Sequence, residues 1–253
     1  MTPIVSLQRQ LDQRADPKTK AWWERYLKHV IPFRGVKMAD IRAVLHQWVR
    51  EEGIAHLPVS QQKELALDLI RLDYTEDKLA GILFWQEILL PAGAVSWPDD
   101  LPHFADLFQQ GFIYDWNTCD WFCVRVLGPL AEQHGAACAR AIAAWRTAET
   151  LWQRRAAAVA FVNLAARGED NFSGFSEMLL GACAPLVASG ERFAQTGAGW
   201  VLRELSQAEP ARVVRFVEER AGRFSSEGLS YATAKLPPET IARLKALNKT
   251  PKQ

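Results

Sequence analysis

Several things that would mark a common enzyme class are missing from these 253 residues. There is no Asn-Gly or Asp-Gly hairpin turn between alternating segments, and β-branched runs are few, so strands are not expected. Without strands a dinucleotide-binding sheet is excluded. No His-Glu-x-x-His pair, Gly-rich phosphate loop or Gly-x-Ser-x-Gly elbow occurs. The cysteines are Cys119, Cys123, Cys138 and Cys183, with no Cys-x-x-Cys pair, which reads as reduced thiols in a cytoplasmic chain. Cys119 and Cys123 stand four apart, a spacing that serves a metal only with two further ligands, and the five histidines are dispersed. Neither a metal nor a cofactor is therefore expected. No apolar run reaches about 18 residues, so no membrane span is expected. The opening MTPIVSLQRQLDQR lacks the apolar stretch of a secretory signal.

Tyrosine is scarce, at 4, but tryptophan is abundant, at 10, which implies an aromatic core or an aromatic-lined groove. The net charge of +1 hides an uneven distribution. Residues 1–50 carry ten Lys/Arg against four Asp/Glu, and residues 51–110 carry three against eleven. Residues 140–167 carry five arginines (Arg140, Arg146, Arg154, Arg155, Arg167) against Glu149 alone. Two basic blocks on one face would attract a polyanion; the alternative is a set of solvated helix faces.

Helical periodicity dominates. Leu65, Leu69 and Leu72 fall at i, i+4 and i+7, widened by Ile70, with Ser60 as N-cap. KLAGILFWQEILL (78–90) is apolar on most sides and predicts a central buried helix ending at Pro91-Ala92-Gly93. Further helices are predicted over 117–127, ending at Gly128-Pro129, over 151–168, over 192–205 and over 210–222. Breaks recur about every 15–25 residues, the scale of single helices joined by short loops. The fold class is thus all-α, as a solenoid of helical pairs in one domain or, alternatively, a compact bundle. The tail from about 247 to 253 is expected to fray.

The densest polar and aromatic segment is IYDWNTCDWF (113–122). Trp116 and Asp120 are four apart, so one helix face presents an indole and a carboxylate together. Asn117 followed by Asp120 also fits a capping box, which would make Asp120 structural, and for Trp116 and Trp121 spacing alone favours core packing over ligand contact.

Ordered blocks in this chain resemble the AlkD-like alkylpurine DNA glycosylases, the DNA alkylation repair family. They are WERYLKHVIPFRGVKMADIR (23–42), DWNTCDW (115–121), LWQRRAAAV (151–159), GWVLRELSQAEPARVVRFV (199–217) and LSYATAKL (229–236). Together they span roughly residues 20–235. The resemblance implies HEAT-like helical pairs forming a curved superhelix with a basic concave face for duplex DNA. It implies a monomeric DNA repair enzyme of base excision, hydrolysing the N-glycosidic bond of cationic N3- and N7-alkylated purines to leave an abasic site. Residue by residue, it places the catalytic aspartate on Asp120, its partner on Trp116 and a second lesion-facing tryptophan on Trp200. It gives Arg155, Arg154, Arg146, Lys28, Arg34 and Lys37 the phosphates. No lysine matches a catalytic position, so no lyase step is expected. Two departures stand out. Gln195-Thr196 replaces a basic pair before Gly-Trp, and GEDNFSGF (168–175) lengthens the path from Arg155 to Trp200. The reading also needs the acidic 51–110 block to face away from DNA. The alternative function is a non-catalytic HEAT-like module that binds DNA structures or a protein partner.

Overall fold

The computed structural model describes residues 2–249. Among the described residues every regular element is helical and there is no strand, so the all-α expectation holds. The chain divides into two compact units, Met1–Val126 and Leu127–Gln253.

The N-terminal unit contains α1 (Pro3–Asp12), α2 (Pro17–Tyr26), α3 (Met38–Glu51), α4 (Val59–Arg71), α5 (Thr75–Phe84), α6 (Trp97–Gln109) and α7 (Trp116–Phe122). Its hub is α5, which touches α3, α4 and α7 and buries every one of its ten residues. That is the central helix the apolar run predicts. It continues through a π-helical turn, Trp85–Leu89, before the chain turns at Pro91-Ala92-Gly93. The stripe of α4 is rotated from the expected one. Gln62, Ala66, Leu67, Leu69 and Ile70 are buried, whereas Leu65 and Leu72 are only half-buried. Gln62 belongs inside because its Nε2 donates to Leu57 O at 2.8 Å and Ala55 O at 3.4 Å. Ser60 is not the cap; α4 starts at Val59 behind Pro58.

The opposing charge blocks cancel in part on folding. Buried Glu76 accepts the backbone N–H groups of Arg34, Gly35 and Val36 at 2.9, 2.8 and 3.0 Å. Arg34 pairs with Asp77 at 2.8 Å, Arg42 with Glu87 at 2.7 Å, and Lys63 with Asp100 at 2.7 Å. Three carboxylates of the acidic block, Glu76, Asp77 and Asp100, are therefore internal framework, while Glu51, Glu52, Glu64, Asp73, Asp99 and Asp106 remain exposed.

The C-terminal unit contains α8 (Gly128–Ala143), α9 (Leu151–Val159), α10 (Val162–Ala165), α11 (Phe175–Ala188), α12 (Arg192–Leu205), α13 (Pro210–Glu219), α14 (Ser226–Thr233) and α15 (Pro238–Lys249). Its hub is α12, packed by α9, α10, α11, α13 and α14. Gly128-Pro129 does not close a helix: α8 starts at Gly128 directly after a π-helical turn, Cys123–Leu127, with Leu127 still in helical geometry (φ −66°, ψ −41°). The segment 151–168 is two helices, because the chain leaves α-geometry at Phe161 (φ −99°, ψ 6°). Residues 247–249 form the end of α15 rather than a frayed tail, since Asn248 bonds Gly222 N at 2.8 Å and Phe224 O at 2.9 Å. The rest of the expected tail, 250–253, lies outside the described residues.

Candidate functional site

The helix that carries Trp116 and Asp120 is rooted by its opposite face. Asn117, Thr118, Cys119 and Phe122 are buried, while Trp116 and Asp120 are both half-buried and one helical turn apart. The cap is Asp115, whose carboxylate accepts from Thr118 N at 2.9 Å. Asn117 lies inside the helix rather than at its cap, so the expected Asn117–Asp120 capping box is absent. Trp121 is also half-buried, with the Arg125 guanidinium 5.1 Å from its ring.

Below this helix lies a charged support. The Lys78 ammonium donates to Ile70 O and Phe112 O, both at 2.8 Å, and sits 5.7 Å from the Tyr114 ring. Burial pushes that amine down to about 8, against the pull of Asp115, Asp73 and Asp77. Burial likewise raises the Asp115 carboxyl above the usual carboxylate range, opposed by its bonds to Thr118 and by Lys78. Lys78 thus holds the chain just ahead of α7, and Asp115 holds its first turn.

Trp116 also has an aromatic surround that the motif reading missed. Its ring lies edge-on to Tyr26 with centroids 5.5 Å apart. It packs with Trp23 and Tyr114 on a core of Leu27, Ile31 and Phe33. The signal for this was present: Trp22 and Tyr26 are spaced i, i+4 in a chain rich in indole.

The predicted phosphate-binding residues meet different fates. Lys28 and Lys37 are exposed in the N-terminal unit. Arg34 is not available: its side chain is 8% exposed, tied to Asp77 at 2.8 Å and Asp12 at 2.5 Å, with Tyr74 4.3 Å from its guanidinium. Two carboxylates and a ring close by make it a structural cation, which corrects its expected role.

In the C-terminal unit, Trp200 is half-buried on α12 and Arg146 is exposed in a short 3-10 turn, Ala144–Thr147. Arg154 donates to Ala148 O at 3.0 Å and Glu149 O at 2.5 Å, and pairs with Glu191 at 2.5 Å. Arg155 is 5% exposed and donates to Phe193 O at 2.5 Å. Gly197 makes room for it, since a methyl group there would fall 2.7 Å from Arg155 Nη1. Gln195 takes the place of a cation for a structural reason. Its Nε2 donates to Val187 O, Ser189 O and Arg223 O at 3.1, 3.0 and 2.9 Å, and its Oε1 accepts from Ser225 N at 2.5 Å. The 168–175 segment is tied down locally, with Glu169 accepting from Gly174 N at 2.6 Å and Ser176 N at 3.1 Å.

Cys119 and Cys123 are buried with sulfurs 4.0 Å apart, and no group of three metal-ligating side chains occurs among the described residues. Nor is any described helix long and apolar enough to cross a membrane.

These features define an all-helical protein with a carboxylate and an indole displayed on one rooted helix. The family of DNA alkylation repair enzymes matches residues 7–236, and the chain belongs to that family. A solved structure described as a predicted DNA alkylation repair enzyme from Enterococcus faecalis is similar in fold, with a TM-score of 0.72 at 20% identity over 89% of this chain and 98% of that one. No curated protein matches in sequence.

Proposed function

We propose that this chain is a monofunctional DNA glycosylase that hydrolyses the N-glycosidic bond of cationic N3- and N7-alkylated purines in duplex DNA. The observation that carries the reading is the pairing of half-buried Trp116 and Asp120 on a helix whose other face is anchored. Membership of a DNA alkylation repair family supports it.

The chemistry asks for what such a pair offers. Alkylation at N3 or N7 leaves the purine positively charged, so the base departs as a neutral molecule without needing a proton from the enzyme. The C1′–N bond breaks with its electron pair going to the base, and positive charge moves onto the deoxyribose. Water then adds to C1′ and loses a proton. Asp120 supplies negative charge beside the cationic sugar and an acceptor to orient that water. Trp116 offers a π face, and Trp200 of the C-terminal unit is assigned the same task. A carboxylate about 4 Å from a unit positive charge gains about 4 kcal/mol at an effective dielectric near 20. Only the part that grows between substrate and transition state accelerates the reaction, because the substrate is already cationic.

Phosphate contacts fall to the exposed Arg146, Lys28 and Lys37, which position the duplex without reading its sequence. Arg154 helps to hold the turn before α9 through its bond to Ala148 O, and Arg155 is tied to the start of α12 through its bond to Phe193 O. The test is to incubate the protein with a duplex carrying 7-methylguanine and then heat it in alkali. Strand breaks at the lesion are the expected result. Binding without breaks at either an N7- or an N3-alkylpurine would overturn the reading in favour of a non-catalytic DNA-binding module.

A further inference from the structure

No residue of α2 is fully buried, although the helix carries two tryptophans and a tyrosine. Trp22 and Tyr26 are 54% and 53% exposed and stack on each other, with centroids 5.1 Å apart and planes 14° from parallel. Trp23 fixes both from the side, edge-on at 4.8 Å to Trp22 and 5.9 Å to Tyr26, and is itself stacked on Phe33 at 5.6 Å. Since Tyr26 also abuts Trp116, a run of rings leads from the surface to the candidate site.

The charge around these rings points to their occupant. Lys18, Arg25 and Lys28 are exposed, and none has an ion pair among the described residues. Glu24, the carboxylate on this helix, is already engaged, 3.8 Å from Lys20 and accepting from Phe33 N at 3.4 Å. Lys28 and His29 both take left-handed backbone (φ 53° and 57°), so a side chain rather than glycine occupies each strained position beside the rings. A flat π surface bordered by unpaired cations suits a ligand that is both planar and anionic, and a nucleotide is both.

We propose that Trp22 is a stacking platform for an unpaired nucleobase, so that the chain binds duplex DNA with an extrahelical nucleotide in preference to fully paired duplex. This rests on the DNA-binding part of the proposed function, and it adds a second ligand class, an unmodified unpaired base. The base lies against the outer face of the Trp22 indole, Tyr26 backs that indole, and Lys28 and Arg25 neutralise the flanking phosphates.

The experiment uses two labelled duplexes of equal length without alkylated bases, one fully paired and one with a single bulged nucleotide, titrated with the full chain by fluorescence anisotropy. Native protein should prefer the bulged duplex by about five- to a hundredfold, the range that base–aromatic stacking supports. Trp22→Ala and Trp22→Leu should both lose that preference with paired-duplex affinity changed less than about twofold, and Trp22→Phe should keep most of it. The leucine variant keeps apolar bulk without a π face, so a preference that survives in it overturns the proposal. Equal affinity of the native chain for both duplexes overturns it too, as does a Trp22→Ala variant that changes only the oligomeric state. A bulge preference without excision of any alkylpurine removes the glycosylase reading and leaves the platform standing. Excision without a bulge preference removes the platform alone, and no binding to either duplex removes both.

Discussion

The hub helices α5 and α12 do the same job with opposite materials. In the N-terminal unit α5 buries Glu76, Asp77 and Lys78, whose charges tie down the 34–36 segment, the end of α4 and the chain leading into α7. In the C-terminal unit α12 buries the neutral Gln195, whose amide collects three carbonyls and one N–H from the surrounding loops. Burying charge is expensive unless each charge is met by partners, and it makes the packing titratable. Burying an amide satisfies the same kind of backbone groups with no dependence on pH. The unit that carries the carboxylate–indole pair is thus the one whose framework responds to protonation.

The sharpest way to break this comparison is Glu76→Ala. Removing that carboxylate orphans the N–H groups of Arg34, Gly35 and Val36 and should cost about 3 kcal/mol of stability in a urea melt. A loss below about 1 kcal/mol would show that the ionic hub is dispensable.

Next comes the pH response. Lys78 titrates near 8 in the folded chain against an ordinary 10.5. Between those values the unfolded chain holds a proton that the folded chain has given up, so stability rises with pH across that window. Below about 8 the folded state bears the full cost of a buried ammonium. The gain from pH 8 to pH 10.5 should be on the order of 2 kcal/mol and should vanish in Lys78→Met. Equal slopes in the two proteins would contradict the assignment.

Gln195→Ala is expected to cost less, about 1–2 kcal/mol, because some of the freed carbonyls gain access to water. Its effect should be the same at pH 6 and pH 9; a strong pH dependence would erase the contrast between the hubs. Smallest is Lys28→Ala, which should lower the slope of log affinity against log salt for duplex DNA by about one, with little effect on stability. An unchanged slope would remove Lys28 from the phosphate contacts.

Where the sequence is punctuated, the fold is legible in it. Pro210 and the run 192–205 fall at helix boundaries as expected, and the unbroken apolar character of 78–90 marks the buried hub. Periodicity misleads at α4, because a glutamine with two backbone carbonyls to satisfy counts as interior and displaces Leu65 from the stripe. It misleads at Asn117 because Asp115, two residues earlier, takes the cap. Charge runs mislead most. Arg34 lies in a basic stretch, yet its partners Asp12 and Asp77 stand 22 and 43 residues away in the chain, a pairing that only tertiary structure reveals. The Trp116–Asp120 spacing is local, so the sequence shows it, whereas the Trp22–Tyr26–Trp116 run joins two helices distant in the chain.

The central claim is that the carboxylate displayed on α7 serves chemistry, while those buried around α5 serve the fold. It is tested most directly by single-turnover excision of 7-methylguanine with native protein and Asp120→Asn at saturating enzyme. The variant should excise about a hundred- to a thousandfold more slowly, the loss of roughly 3–4 kcal/mol of transition-state stabilisation, while keeping its fold and its binding to duplex DNA. A rate within a factor of about two of the native one would contradict the account.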